Sequence, residues 1–368
     1  MKCNILCKFA FEKNDMTATV TEEKILRLEE LLADAGRISV VTHTRPDGDA
    51  VGSGSAMVAW LRSLGKDACL LLPDPCPDFL SFLTGGALAE HILVRTCDPE
   101  AVAGRIASSD LIIVQDLNGF DRAEGMKDQL SASKARKILI DHHLGPNEQD
   151  FDLVFSETGI SSTCELLFWI MLGTSDVEGD ASRLPMPVLV ALMTGMTTDT
   201  NNFANSVFPD TFGMASRLLD AGVDRDAILA ELYNRGRENR LRMTGHVLKD
   251  SMRILPNGTA YIVVRAGELK AYDIREGEME GIVNMPLTID SVRMSLLLKE
   301  DEGFFRVSIR SKRGTSAFRM AARYFHGGGH EQASGGRLYF PADIADASLA
   351  EAYIERVSNE FFESEDEK

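Results

Sequence analysis

The chain has 368 residues, of which 44% are apolar and 26% charged, the balance of a soluble globular protein long enough for two domains. No apolar run approaches the ~18 residues of a membrane span. The net charge of −17, from 39 basic and 56 acidic residues, works against binding to long polyanions.

The opening stretch, MKCNILCKFAFEKNDM, has a brief apolar patch broken by Lys8 and Lys13. It lacks the long apolar core and cleavage pattern of a signal peptide, so residues 1–21 read as an extension ahead of the fold. The six cysteines, Cys3, Cys7, Cys69, Cys76, Cys97 and Cys164, form no C-x-x-C pair. They are too few for a disulfide scaffold and read as reduced thiols of a cytoplasmic protein. A zinc site through Cys3 and Cys7 would need a second pair that the sequence does not supply.

Glu22 to Ala35 places Ile25, Leu28, Leu31 and Leu32 on one helical face. ISVVTH then reads as a buried strand, Asp49 to Leu64 as a helix, and ACLLLP, LIIVQD and KILID as further short strands. Pro99 to Ala107 reads as helix or loop, and the apolar Val188 to Met196 as helix or strand. The alternation predicts a parallel α/β sheet flanked by helices over residues 22–208. Residues 209–255 read as a helical linker. Beyond it, GTAYIVVRA, SVRMSLLLKE and GFFRVSIRS read as strands at hairpin-like spacing, with helices over Ser316–Tyr324 and Ala345–Phe362. These predict a smaller α+β domain over 256–362, followed by an acidic tail at 363–368.

Three of the first-domain strands run into acids or imidazoles. VVTHTRPDGDA carries His43, Asp47 and Asp49; LIIVQDLNG carries Asp116; LIDHHLG carries Asp141, His142 and His143. Asp199 follows the apolar run ALMTGMTTD. Ligands of open α/β sheets bind outside the carboxyl ends of the strands, so these groups are expected to converge. Each has an ordinary reading alone: PDGD is a turn, Asp116 a helix cap, His43 a core histidine. Their joint occurrence points to chemistry. Asp47, Asp49, Asp116 and Asp199 brought together would repel one another and raise their own pKa values. Two divalent cations would neutralise them, with His43 and His142 completing mixed oxygen and nitrogen shells. That donor set suits manganese, with magnesium and cobalt as alternatives, better than calcium or structural zinc. Asp116, alone on its strand, is the natural bridge. Such a pair activates water for in-line attack on phosphorus, with His143 as the proton donor or phosphate contact.

Between Arg306 and Arg337 lie seven basic residues and one acid, Glu331, a +6 island (7 − 1) in an acidic chain. It also holds Gly327, Gly328 and Gly329, which let a backbone approach an anion closely. Arg310 can fork onto a phosphate and His330 can add a donor. The ordinary readings are a solvated face and a tight turn after a helix. Gly52 and Gly54 lack the third glycine of a dinucleotide loop and read as helix packing.

HTRPDGDAVGS, VQDLNG, IDHHLG and MTTDTNNF resemble, in order and content, the four motifs of the DHH phosphoesterase superfamily. GGGHEQASGG, with RSK at 310–312, resembles the DHHA1 domain of one branch. The resemblance implies that His43, Asp47 and Asp116 hold one metal, and Asp49, Asp116, His142 and Asp199 the other. It implies catalytic roles for His143 and Asp141, the latter orienting a neighbour, and substrate binding by Arg310, Ser311, Gly327, Gly328, Gly329 and His330. The implied activity is cleavage of very short RNA, as in nano-RNases, and removal of phosphate from 3′-phosphoadenosine-5′-phosphate. Alternatives are a cyclic or linear dinucleotide phosphodiesterase, a polyphosphatase, or a nucleotide-binding sensor without turnover. A homodimer through the first domain is also implied. His326 stands where the branch often has a fourth glycine, and Ala333-Ser334-Gly335 where it often has AAG; both bear on substrate recognition.

Overall fold

The computed structural model describes residues 19–329 and 331–366. Cys3, Cys7, most of the expected extension at 1–21, His330 and the end of the acidic tail lie outside the described residues. The chain divides into two compact units between Arg235 and Gly236. The helices expected to link the domains over 209–255 are therefore shared between the two units.

In the first unit, the β-branched runs form a six-stranded sheet. Its strands are β1 (Arg37–Val41), β2 (Asp67–Leu72), β3 (Ile92–Val94), β4 (Leu111–Gln115), β5 (Arg136–Asp141) and β6 (Leu153–Ser156). All neighbours pair parallel, in the order β3-β2-β1-β4-β5-β6. The direction of winding thus reverses between β1 and β4, the switch point where such sheets open a crevice. The helices are α1 (Glu22–Asp34), α2 (Gly48–Ser63), α3 (Ser81–Thr84), α4 (Pro99–Ala107), α5 (Lys127–Ala132), α6 (Thr163–Gly173), α7 (Met186–Asp199), α8 (Pro209–Asp220) and α9 (Arg225–Tyr233). One sheet face buries Ile38, Val40, Ile113 and Ile140 against α1, α2, α6 and α7. The other buries Val41, Ile112, Val114 and Leu139 against α4 and α5.

The ambiguous Val188–Met196 is helical, within α7. It is apolar all round because it is buried all round. It crosses α2 closely at glycines. A Cβ on Gly52 would lie 2.8 Å from the Ala191 carbonyl oxygen and 3.0 Å from Cys164 Sγ; one on Gly195 would lie 3.0 Å from Asp49 Oδ1. Gly52 thus serves helix packing.

The second unit carries α10 (Glu238–His246), α11 (Ala266–Ala271), α12 (Ala317–Tyr324) and α13 (Ala350–Asp366) around a mixed sheet. Its strands are β7 (Met252–Ile254), β8 (Thr259–Val264), β9 (Met294–Asp301), β10 (Phe304–Ser311), β11 (Gly328–Gly329) and β12 (Ala333–Tyr339). Sheet order is β11-β12-β10-β9-β8-β7. β9 and β10 form a hairpin turned at Gly303, whose φ is 80°. β8 and β9, expected to be hairpin neighbours, instead run parallel, because the intervening α11 segment crosses over the sheet. β10 alternates: Phe305, Val307 and Ile309 face a core with α12 and α13, and Arg306, Ser308 and Arg310 face the other way.

At Gly52 the added methyl meets a backbone carbonyl that has nowhere to go. Gly52→Ala is expected to lower stability by about 1–2 kcal/mol, an overpacking cost of about 1–3 reduced by the better helix propensity of alanine. A lower urea midpoint at unchanged slope would show it; an unchanged or raised midpoint contradicts the packing account.

Candidate metal centre

Past β1 the chain buries His43, which is 5% exposed. Its Nδ1 lies 2.9 Å from the Thr44 carbonyl oxygen. A carbonyl only accepts, so Nδ1 carries a proton and Nε2 is the atom left to take a metal ion or a second proton. That Nε2 is buried without a hydrogen-bond partner. It lies 3.3 Å from Asp116 Oδ2 and 3.7 Å from Asp47 Oδ1. Asp47 is the N-cap of α2, accepting from the Asp49 and Ala50 N–H groups at 3.1 Å. The turn reading of PDGD and its chemical reading are therefore served by one carboxylate.

Asp49, in the first turn of α2, is 1% exposed. Its two oxygens accept from the Thr163 and Cys164 N–H groups at 2.7 and 2.9 Å. These belong to the first turn of α6, so the positive end of that helix holds the carboxylate. Asp116 follows β4 with φ 60°, and its N–H still reaches the Ile140 carbonyl at 3.1 Å. An Asp tolerates this left-handed backbone better than most residues, and the turn keeps its carboxylate at the sheet edge.

His142 Nε2 lies 3.4 Å from Asp199 Oδ2, 3.6 Å from Asp116 Oδ1 and 3.9 Å from Asp49 Oδ2. Asp116 thus sends one oxygen toward His43 and the other toward His142. Three overlapping sets have ligand atoms within 4.8 Å of one another: His43, Asp47 and Asp116; Asp49, His142 and Asp199; and Asp116, His142 and His143. His143 is a poor ligand in the third set, since both ring nitrogens are engaged. Nδ1 donates to Asp141 Oδ1 at 2.8 Å, and Nε2 accepts from Arg122 Nη1 at 3.0 Å. Asp141 is fully buried and orients the imidazole.

The electrostatics report a missing positive charge. Burial alone would hold the His43 imidazolium down, but Asp116 and then Asp47 outweigh it and raise it to about 10. Burial, then the charge of Asp116, pushes Asp49 well above the carboxylate range; burial, Asp49 and Asp116 do the same to Asp199. Burial holds His142 below its ordinary value. Carboxylate oxygens and imidazoles around a buried Nε2 without a hydrogen-bond partner fit a divalent cation that would displace the His43 proton, so these clusters are suited to hold one.

Thr163, Cys164 and Arg122 were not singled out from the sequence. The first two had a signal: Ser162-Thr163-Cys164-Glu165 has the S-x-x-E form of a helix start, and Ser162 does accept from the Glu165 N–H at 3.0 Å. Arg122 had none beyond its position shortly after Asp116.

In the second unit, Arg310 is half-buried on β10 and donates to the Ile309 carbonyl at 2.9 Å. The buried Ser311 hydroxyl donates to the Thr315 carbonyl at 2.6 Å. The glycines have a structural duty. A Cβ on Gly327 would lie 1.9 Å from the Gly335 carbonyl oxygen, and Gly329, at φ 140°, would set one 2.7 Å from the Ala333 oxygen. A Cβ on Gly328 would meet nothing nearer than Phe318 at 3.8 Å, so close approach does not require glycine there, and Gly328 pairs with Gly335 in the sheet. The basic island is partly neutralised within the unit. Arg306 pairs with Asp301 at 2.8 Å and Glu276 at 3.1 Å, and Lys312 donates to the Ile289 and Asp290 carbonyls.

Acids and imidazoles hung on the carboxyl ends of β1, β4 and β5 at a switch point define a class of metal-centred α/β proteins. Within it, the description "DHH family, N-terminal domain" fits residues 37–196, and "DHHA1 domain" fits residues 258–358. The bifunctional oligoribonuclease and PAP phosphatase NrnA of Bacillus subtilis (strain 168) is 27% identical over 313 residues, 84% of this chain and 91% of that protein. The protein of the same name from Thermus thermophilus is 31% identical over 327 residues, 86% of this chain and 89% of that one. The crystal structure of an exopolyphosphatase-related protein from Bacteroides fragilis superposes with a TM-score of 0.87 at 32% identity, covering 95% of this chain and all of the other. The chain belongs to the DHH family and carries a DHHA1 domain. Among the described residues, no helix is long and apolar enough to cross a membrane.

The raised groups fix a sign. Asp49, Asp199 and His43 hold protons more tightly folded than unfolded, so cation-free protein should lose stability as pH rises. The loss begins above the ordinary Asp value of 3.8 and continues through about 10; His142 works the other way around its ordinary 6.5. Melting temperature in chelator is therefore expected to fall from mildly acidic to alkaline pH. Mn²⁺ at about 100 times its Kd should add about 2.7 kcal/mol, more at alkaline than acidic pH because protons compete for the ligands. A chelator profile that rises with pH, or no response to Mn²⁺, contradicts this.

Proposed function

We propose that this chain is a metal-dependent phosphoester hydrolase that trims very short oligoribonucleotides and removes phosphate from 3′-phosphoadenosine-5′-phosphate, using two divalent cations, manganese first among them. The observation that carries it is the buried His43 Nε2, which faces Asp116 and Asp47 with no hydrogen-bond partner. Full-length relatives named for those two activities support the substrate class.

His43, Asp47 and Asp116 would hold one cation, and Asp49, Asp116, His142 and Asp199 the other. When bound, divalent cations would supply Lewis acidity for the phosphoryl group and for the attacking water. The residues do the rest. The α6 N-terminus fixes Asp49, so its oxygens need no reorganisation during the reaction. Asp141 fixes the His143 tautomer and would stabilise its imidazolium. His143 then contacts the scissile phosphate or hands a proton to the leaving oxygen. Arg310, in the second unit, would add an anion contact for phosphate or nucleotide.

The test is turnover by the protein with Mn²⁺ on di- to pentanucleotide RNA, 3′-phosphoadenosine-5′-phosphate, cyclic dinucleotides and polyphosphate. Turnover of the first two is expected; a preference for cyclic dinucleotides or polyphosphate would replace the substrate assignment, and no turnover on any overturns it. Asp116→Ala should cut kcat by more than about 10²-fold, since residues one shell further out already cost about 10–100-fold. Retained activity would remove Asp116 from the bridging role. Arg310→Ala should chiefly raise KM, because it removes binding common to ground and transition states; a loss confined to kcat contradicts that role.

A further inference from the structure

Arg122 is an arginine in an unusual position. It is half-buried beside an acidic centre, yet among the described residues it forms no ion pair with a carboxylate. Its guanidinium donates instead to a neutral imidazole nitrogen, His143 Nε2, at 3.0 Å. Arg105 shows what a structural arginine looks like in the same unit. It is 7% exposed and donates to Asp67 Oδ2 at 2.9 Å, the Ile38 carbonyl at 2.8 Å and the Asp67 carbonyl at 2.7 Å. Arg122 has the same five donors and spends them sparingly.

Its main chain, by contrast, is fixed. The Arg122 carbonyl accepts from Thr44 N–H at 2.9 Å, and Thr44 Oγ1 accepts from Glu124 N–H at 3.0 Å. The Thr44 carbonyl is the one that holds His43 Nδ1. The side chain therefore springs from a backbone anchored to the His43 loop and ends on the His143 ring. Only the guanidinium is left to move.

We propose that Arg122 is a substrate-phosphate ligand that rests on His143 Nε2 when no substrate is bound. An imidazole lone pair is one neutral acceptor, whereas a phosphoryl group offers several charged oxygens in the geometry that a guanidinium fork matches. Exchange of partners is favourable, and it has a consequence. When Arg122 turns to the phosphate, His143 Nε2 is released toward the same group. Phosphate capture and exposure of His143 become one event, with Arg122 as both a binding and a positioning residue.

This rests on the phosphoesterase reading, and the test separates the two. With Mn²⁺ and 3′-phosphoadenosine-5′-phosphate, Arg122→Ala should lower kcat/KM by about 10²–10³-fold, the usual cost of losing a donor to a reacting oxyanion. Arg122→Lys should recover only part, since a point charge lacks the fork. Dilute guanidinium should restore part of the alanine variant's rate and leave the wild type unchanged, while Mn²⁺ affinity stays the same in all three. An alanine variant within about twofold of an active wild type overturns the assignment; so does a loss that guanidinium does not relieve, which is what a purely structural role produces. If the wild type turns over no phosphoester, the earlier reading falls, and inorganic phosphate binding decides Arg122: binding lost in Arg122→Ala upholds it, and equal binding overturns it.

Discussion

The first unit is organised around a repulsion that the polypeptide does not relieve by itself. Asp116 lies 2% exposed between two imidazole nitrogens, with Asp49 and Asp199 on one side and Asp47 on the other. Buried carboxylates are usually paired with arginine or lysine. Here, among the described residues, no arginine or lysine pairs with these acids, and the Arg122 guanidinium is turned onto His143. The fold brings the acids together at a cost, and the α6 N-terminus offsets part of it at Asp49. A centre that sets no arginine or lysine against its acids, among the described residues, takes its positive charge from outside, as protons on His43, Asp49 and Asp199 or as metal ions.

The helices follow from that demand. Asp47 and Asp49 stand at the start of α2, and Asp199 is the last residue of α7. For both ends to reach one point, the helices must run antiparallel and close. Gly48 faces Thr198 while Gly52 faces Gly195 and Ala191, which is antiparallel contact with side chains removed at the crossing. α7 must also stop sharply. Asn201, Asn202 and Phe203 follow with φ of 47°, 58° and 65°. Asparagine tolerates that region and phenylalanine does not. Phe203 is held there by its N–H to Thr200 Oγ1 at 3.0 Å and by stacking on Phe212 at 5.4 Å. Local strain is accepted where it aims a carboxylate.

This division explains what the sequence could reveal. Strands ending in acids are visible because a buried β-branched run and a carboxylate are each unambiguous. The parallel α/β sheet and the second mixed domain are legible for the same reason. The short edge strands β3 and β6 are not, since a few residues carry too little periodicity. The parallel pairing of β8 with β9 is hidden because a strand's composition does not state its partner. Arg122 is invisible for a deeper reason. Its role depends on which neighbours it lacks, and only the assembled fold shows that.

The second unit calls for the opposite discipline. A run of three glycines beside many arginines suggests an anion cradle, but much of it is explained without one. Gly327 is required by the approach of Gly335, and Gly336 by Phe325, whose carbonyl oxygen would lie 2.3 Å from an added Cβ. Arg306, Lys312 and Arg323 have partners within the unit, the last donating to Ser364 at 3.1 Å. Arg310 is different. It lies on the face of β10 away from the α12 and α13 core, where burial works against its charge, Glu280 supports it, and its guanidinium donates to its neighbour's carbonyl. An arginine held in a low-dielectric setting with donors to spare pairs strongly with any anion that arrives, because little water must be displaced. Anion binding in this unit therefore rests on Arg310, not on the number of positive charges nearby.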